Sequence, residues 1–287
     1  MDSAPVPLSR EFLDECQRLF EPGLGTESAA FLLYALVKML RPRTALEVGL
    51  GYTTPFLAAA LADARAEFEA DRGLLGEPDS GQPRLEVLVP PFFREDYRPR
   101  LLAIDDFSLE GSSAPRVVEV LEALGLQEVV QVRQGDFRGY SKQLRPEDLP
   151  LDFVWFDCGG PRDYVDFIGE YWPLINDDHG LLVLHFTYWT VEMRRGGETL
   201  PAIVSSPIAD EIKRQQAAGG LAARFEMLSL VEPHKSRQGS VTLVRKLAPQ
   251  SLCRNRDFAS EMTRLFGREW PPFPKLGCGG FDSFWSR

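Results

Sequence analysis

Histidine is scarce: His179, His185 and His234 are the only three in 287 residues, so any imidazole chemistry has three candidates. Cysteine is nearly as rare. Cys16, Cys158, Cys253 and Cys278 stand far apart with no C-x-x-C pair, which removes the spacing of a zinc site or a redox pair and leaves four reduced thiols. No apolar run reaches the roughly 18 to 20 residues that cross a bilayer. The opening MDSAPVPLSREFLDE also lacks the basic start and apolar core of a secretion signal, so no membrane contact and a cytoplasmic location are expected. Positive charge is in deficit, with 32 Lys and Arg against 42 Asp and Glu and a formal net charge of -10. Nucleic acid is thereby disfavoured as a partner, since phosphate binding needs a concentrated positive surface. No internal repeat is present.

What is there reads as a soluble globular chain, because 44% hydrophobic and 26% charged residues exclude disorder and fibres. Short runs of Val, Leu, Ile and Phe alternate with stretches of helical spacing. The expected strands are Thr44 to Val48, Leu101 to Asp105, Val129 to Arg133, Phe153 to Asp157 and Leu181 to His185, and the expected helices Thr53 to Ala70, Pro115 to Leu124, Asp163 to Leu174 and Ile208 to Gln216. Such alternation predicts an α/β domain with a parallel sheet covered on both faces. Phe225 to Leu230 and Ser240 to Lys246 break it, since the link VEPHKSRQG has no room for a helix and implies an antiparallel hairpin. Leu8 to Phe20 and Glu27 to Leu40 have helical spacing and form an N-terminal segment, residues 1–43, that packs beside the sheet or in a subunit interface. The domain proper is 44–247.

Two segments exceed a minimal domain. Residues 71–100 form a connection of about thirty residues where 2 to 6 are usual, which reads either as a surface insertion or as a lid. Residues 248–287 carry WPPFP and CGGFDSFW, an aromatic content suited to wrapping the domain or a partner subunit; a homodimer is left open.

The candidate chemistry lies at strand ends. The first strand closes on Glu47-Val-Gly49-Leu-Gly51-Tyr-Thr53-Thr54, where glycines let the backbone turn tightly and approach a ligand at the next helix. A dinucleotide fingerprint would hold a third Gly where Thr54 stands; here Glu47 supplies a carboxylate that can meet a cationic group such as an ammonium. The second strand closes on Asp105-Asp106, suited to the two hydroxyls of a ribose. The third closes on Gly135-Asp136-Phe137, where the acid can accept an exocyclic amine and the ring offers a flat neighbour. Each acid alone also reads as a helix cap or a solvated loop charge; three at successive strand ends point to a ligand.

With these motifs the chain resembles the class I methyltransferases that use S-adenosylmethionine (SAM), and among them the small-molecule O-methyltransferases, over roughly residues 27–246. The likeness rests on Leu46-Glu-Val-Gly-Leu-Gly51, Ile104-Asp-Asp, Gly135-Asp-Phe, Leu151-Asp-Phe-Val-Trp-Phe-Asp157 and the run from Tyr171 to His185, and on the terminal hairpin. It implies a Rossmann-like doubly wound seven-stranded sheet ending in an antiparallel hairpin. It further implies that Glu47 faces the methionine end of the cofactor, Asp105 or Asp106 the ribose, and Asp136 the adenine with Phe137 as its flat neighbour, and that Gly49, Gly51, Thr53 and Asp157 also belong to the cofactor site. S-adenosylhomocysteine (SAH) would be the product.

The chain departs from the metal-dependent relatives, which carry a further acid shortly after the fourth-strand Asp and an Asp-Asn pair after the fifth strand. Here Cys158-Gly-Gly-Pro and His185-Phe-Thr stand in those places. A magnesium or calcium site needs several oxygen ligands, so no metal is expected; Asp157 and His185 leave iron or zinc as the residual case. The same two residues end neighbouring strands and can form a catalytic pair, with His185 as general base oriented by Asp157; a structural His185 is the alternative. His234, on the hairpin loop, is the second candidate. Phe186, Tyr188 and Trp189 can wall an acceptor pocket or merely cover the core, and Arg194 and Arg195 can meet an acidic substrate or form a solvated turn.

The expected function is methylation of a small molecule, at oxygen in the first instance. Competing readings are an N-methyltransferase, an NAD(P)-dependent oxidoreductase and a non-catalytic cofactor-binding protein. Twenty-six Arg against six Lys hints at a GC-rich genome and, by association only, at natural-product biosynthesis.

Overall fold

The structure, a computed structural model, describes residues 8–77, 81–217 and 224–247. Strands β1 (Thr44–Val48), β2 (Arg100–Asp105), β3 (Val130–Gln134), β4 (Phe153–Phe156) and β5 (Leu181–His185) run parallel, and β9 (Ser240–Leu247) lies antiparallel between β5 and β8 (Arg224–Val231). The sheet order is β3-β2-β1-β4-β5-β9-β8. From β1 the chain winds out to β2 and β3 and then returns to β4 on the other side. That reversal opens a crevice at the carboxyl ends of β1 and β4, the usual ligand position in such sheets.

The strands read as unbroken apolar runs because both faces are covered. On one face Ala45, Phe153, Trp155 and Val183 pack under α2 (Glu27–Leu40) and α3 (Thr54–Leu75). On the other, Leu46, Val154, Phe156 and Leu184 meet α5 (Pro161–Tyr171) and α6 (Pro207–Ala217). Between α1 (Arg10–Cys16) and the edge strands, α4 (Val117–Ala123) completes the first layer. Each large side chain so buried contributes about 1.5–3 kcal/mol, and Trp155, Phe153 and Phe156 are all wholly enclosed. Helix α2 stops at Arg41, which takes a left-handed turn (φ 48°) before Pro42, a residue that cannot continue a helix.

Two features differ from the sequence-based expectation. A second, separate hairpin of β6 (Tyr188–Arg195) and β7 (Glu198–Ser205) stands between β5 and α6, in register from Tyr188↔Ser205 to Arg195↔Glu198. Its turn is Gly196-Gly197, both with positive φ (61° and 89°), as a two-residue turn matched to strand twist requires. The pair of glycines between two β-branched runs was the available signal; Pro201 and the charges at the tip obscured it.

The second difference concerns 71–100. Helix α3 runs on to Leu75, and residues 81–99 fold back against it. Phe93 and Tyr97 lie on Phe68 with ring centroids at 4.9 and 5.2 Å. The Tyr97 hydroxyl donates to the Pro42 carbonyl at 3.0 Å, and Arg43 donates to the Asp96 carbonyl at 2.6 Å. Pro42 and Arg43 precede β1, so these contacts lie at the amino edge of the sheet, opposite the crevice. The described part of the insertion thus packs against α3 at that edge. The tail at 248–287, with Cys253 and Cys278, lies outside the described residues.

Asp71 on α3 is 2% exposed and bridges Arg41 (3.0 Å) to Arg84 of the insertion. Asp71→Ala cuts the link between Arg41, which keeps Glu67, and Arg84, and should cost about 1–3 kcal/mol. The expected readout is a lower Tm together with faster proteolysis within 81–99; an unchanged digestion pattern would show that this bridge does not hold the insertion.

Candidate active site

A cavity of about 420 Å³ opens at the carboxyl edge of β1, β2, β3 and β4, within the range of roughly 300–1,000 Å³ typical of small-molecule sites. Its floor is the turn between β1 and α3. Gly49 has φ 96°, and a Cβ there would overlap the Asp157 carbonyl at the end of β4. Gly51 is different: it lines the cavity, and within 4 Å a Cβ would meet only Ser113 Oγ, at 3.5 Å. The turn is braced from within, because Asp105 Oδ2 accepts the Leu50 N–H at 2.8 Å and Thr54 Oγ1 accepts the Gly51 N–H at 3.1 Å.

Gly49, Gly51, Thr53, Asp105, Asp106, Asp136, Phe137 and Asp157 all line this cavity. Glu47 does not. Its side chain is wholly buried behind the turn, where Oε1 accepts from Thr53 Oγ1 at 2.6 Å and Oε2 has no partner. Burial pushes its pKa up to about 8 against the hydrogen bonds from Thr53 and Thr54, with Asp157 and Asp105 adding repulsion. A carboxyl group at that depth meets a ligand only through Thr53, not by the direct contact expected.

The two aspartates at the end of β2 divide their work. Asp105 is a brace, accepting from Leu50 and from Phe107 N–H at 2.6 Å, and burial raises its pKa over the opposing backbone bonds. Asp106 is exposed on the wall, with Ser108 N–H at 2.9 Å. Phe107, between brace and wall, takes a left-handed φ of 55°. After β3, Asp136 accepts from Arg138, at 2.9 Å from its N–H and 3.2 Å from its guanidinium. Arg138 also meets Asp163 and Asp166 and lies 4.6 Å above the Phe137 ring. Phe137 is 5% exposed and packs edge-on to Phe156 and Phe167, so most of the ring belongs to the core.

Asp157 and His185 meet: His185 Nδ1 lies 2.7 Å from Asp157 Oδ1. His185 is 1% exposed, however, and does not line the cavity, and its Nε2 lies 3.1 Å from the Gln238 carbonyl. Burial lowers its pKa, but the charge and hydrogen bond of Asp157 and the Gln238 carbonyl together lift it above the ordinary value. His234 is 71% exposed beside Glu232 and does not reach the cavity. Phe186, Tyr188 and Trp189 do not line it either, because the chain leaves β5 into β6, where Tyr188 pairs with Ser240. Arg194 and Arg195 stand exposed beside the far tip of that hairpin, away from the cavity.

Three contributors escaped the sequence reading. Leu19, Glu21, Leu24 and Thr26, from the segment between α1 and α2, roof the cavity. Gln238, left-handed at φ 55°, reaches it from the turn between β8 and β9. That turn is tied to the roof by Lys235, which donates to the Gly25 carbonyl and to Glu27 and Glu232. Arg138 was visible as the residue after Asp136-Phe137, but nothing local announced its acidic partners on α5. Cys158 also lines the cavity; burial, before the nearby acids, raises its pKa, so it is no ready thiolate. Among the described residues no group of three or more His, Cys, Asp or Glu is placed to hold a metal, and no helix is long and apolar enough to cross a membrane.

Several solved structures share this architecture. The O-methyltransferase TomG of Streptomyces achromogenes, involved in tomaymycin synthesis and crystallised with SAM, gives a TM-score of 0.54 at 18% identity, over 86% of this chain and 93% of its own. A putative O-methyltransferase from Klebsiella pneumoniae gives 0.52 at 16% identity, over 85% and 93%. The O-methyltransferase from Bacillus cereus in complex with SAH gives 0.50 at 17% identity, over 84% and 94%. No family model and no curated protein matches the sequence. The fold is thus that of the class I O-methyltransferases.

Burial of Glu47 carries a test. Its folded pKa, about 8, stands above the ordinary 4.5, so the folded state binds the extra proton and stability falls as pH rises between those values, by up to about 1.4 kcal/mol per unit. Glu47→Gln keeps the shape without the charge. Its Tm should exceed wild type at pH 8 and approach it near pH 4.5; a constant difference across that range would show that Glu47 is not buried as an acid.

Proposed function

We propose that the protein is a SAM-dependent methyltransferase that methylates a small molecule, at oxygen in the first instance and in natural-product biosynthesis. The observation that carries this reading is the set of carboxylates at the ends of β2, β3 and β4 around one glycine turn, on the cavity wall of a methyltransferase fold. The donor set suits the cofactor: Asp106 faces outward for a diol, Asp136 can accept an amine, and Gly51 leaves open the space a side chain would fill. Acidic walls also suit a cationic ligand.

Bound SAM would supply a sulfonium methyl group, which the acceptor takes while the electrons of the breaking carbon–sulfur bond stay on sulfur. The chain's part is to align and to remove a proton. Gly49, Leu50 and Gly51 fix the floor, the segment from Leu19 to Thr26 excludes water from above, and the Asp157–His185 pair takes the acceptor's proton. The cofactor side of the cavity uses β2 and β3; Leu19, Leu24, Cys158 and Gln238 remain for the acceptor.

Calorimetry with SAM, SAH and NAD tests the cofactor, and transfer of a labelled methyl group tests turnover. NAD binding in place of SAM would overturn the reading. Gly51→Val should abolish SAM binding with the far-UV spectrum and Tm nearly unchanged, whereas Gly49→Ala should lose several kcal/mol, since it needs both a left-handed alanine and room taken by Asp157. Undiminished SAM affinity in Gly51→Val would place the cofactor elsewhere. Turnover should survive exhaustive EDTA treatment; loss restored by a divalent ion would show a metal requirement.

A further inference from the structure

The pair Asp157–His185 is asymmetric toward the cavity. Asp157 lines it with 24% of its side chain exposed, while His185 sits behind at 1% and does not reach it. We propose that Asp157 is the catalytic group that takes the acceptor's proton, and that His185 is a positioning residue, held as an imidazolium between the Asp157 carboxylate and the Gln238 carbonyl. This assignment rests on the methyltransferase reading and gives the two members of the pair separate roles.

The geometry of the ring is the main support. A carboxylate oxygen faces Nδ1 at 2.7 Å and a peptide carbonyl faces Nε2 at 3.1 Å, and both can only accept. A neutral imidazole has one proton, so one contact would set lone pair against lone pair; an imidazolium donates both. With both nitrogens spent, no lone pair remains to take a proton from a substrate. The surrounding charges favour the cation on balance: Asp157 and Glu27 attract it, and Lys235 opposes it while itself bound to Glu27 and Glu232. Trp155, 5.5 Å away between ring centroids, closes the remaining side.

Asp157 has what His185 lacks. Only Oδ1 is engaged by the ring, and Oδ2 has no hydrogen-bond partner among the described residues. A carboxylate is a weak base, but it is sufficient here. An oxygen that has gained a methyl group holds its remaining proton far more loosely than a carboxylic acid does, so transfer is downhill once the new bond forms. The proton goes from the acceptor to Oδ2 of Asp157 and then to water. His185 fixes the carboxylate rotamer, and through Gln238 it ties the β8–β9 turn to the same point.

The test uses the full-length chain labelled with nitrogen-15, whose three histidines make long-range proton–nitrogen spectra easy to assign, His185 by its loss in His185→Gln. At pH 7 both ring nitrogens of His185 should carry protons, and in Asp157→Asn the ring should become singly protonated. A neutral His185 tautomer in the wild-type protein at pH 7 overturns the proposal. Turnover provides the second arm: Asp157→Asn should lose about 10² to 10⁴ in kcat, and His185→Gln, which still donates to Asp157, less than Asp157→Asn. The wild-type rate should show no limb between pH 6 and 7.5. Greater damage from His185→Gln, or a limb there that this variant removes, also overturns it. Failure to bind SAM or SAH in calorimetry would instead sink the methyltransferase reading and leave the spectra as they are.

Discussion

The crossing of Gly49 over the Asp157 carbonyl is the constraint on which the site depends. Parallel strands stand about 5 Å apart, and β1 and β4 are neighbours only because the chain reverses its winding between them. At their carboxyl ends the β1 chain must swing toward α3, and it passes so close to β4 that no side chain fits. That contact fixes Asp157 against the glycine turn. Everything else at the edge follows from it: Asp105 reaches across from β2 to brace Leu50, Thr53 caps the buried Glu47, and His185 comes level with Asp157 from the next strand. The left-handed residues that open the exits from these strands, Gly49, Phe107 and Phe186, turn the chain sharply where an extended path would cover the cavity.

Beneath this edge lies a buried polar layer that costs stability. Glu47 and Trp155, side by side on β1 and β4, each leave a polar atom without a partner, and such atoms cost roughly 1–3 kcal/mol apiece. The apolar core on either face of the sheet offsets this, with Phe56, Leu57 and Phe153 wholly buried on one face. The protein therefore holds its glycine turn above a partly unsatisfied polar layer, a pattern expected where geometry is set by a site and not by packing.

Most of the sheet was legible because buried parallel strands need continuous apolar runs, and TALEV, LLAID and LLVLH are such runs. The strand-end acids were legible for a related reason: ligands bind at carboxyl ends, so each acid could be placed as soon as its strand was. What could not be read was set by distance in sequence. The place of 81–99 depends on Arg84 meeting Asp71 and on Tyr97 meeting Pro42, contacts that no local pattern encodes. Likewise the proximity of His185 to Asp157 follows from strand order, but the occupation of its second nitrogen follows from Gln238, which lies 53 residues on in a different turn. Pairing could be inferred; solvent access could not.

The same turn that would recognise a dinucleotide argues against one here. Phosphate binding at a strand-to-helix turn relies on free backbone N–H groups and on the helix dipole behind them. In this chain the Leu50 N–H is taken by Asp105 and the Gly51 N–H by Thr54, the residue that stands where the fingerprint has its third glycine. Around the turn the wall carries Glu21, Asp105, Asp106, Asp136, Asp157 and Asp163, against Arg138 as the one cation among the described lining residues. Arg138 is itself held by Asp136, Asp163 and Asp166. A like-charge contact at 4 Å near a protein surface costs about 4 kcal/mol, so a pyrophosphate here would meet repulsion from several sides, with neither the Leu50 nor the Gly51 N–H free to offset it. A ligand carrying a sulfonium and an ammonium meets the reverse balance. The internal bonding of the turn and the sign of its walls thus select for the same kind of ligand, although one arises from Asp105 and Thr54 and the other from three strand ends, the start of α5 and the segment that roofs them.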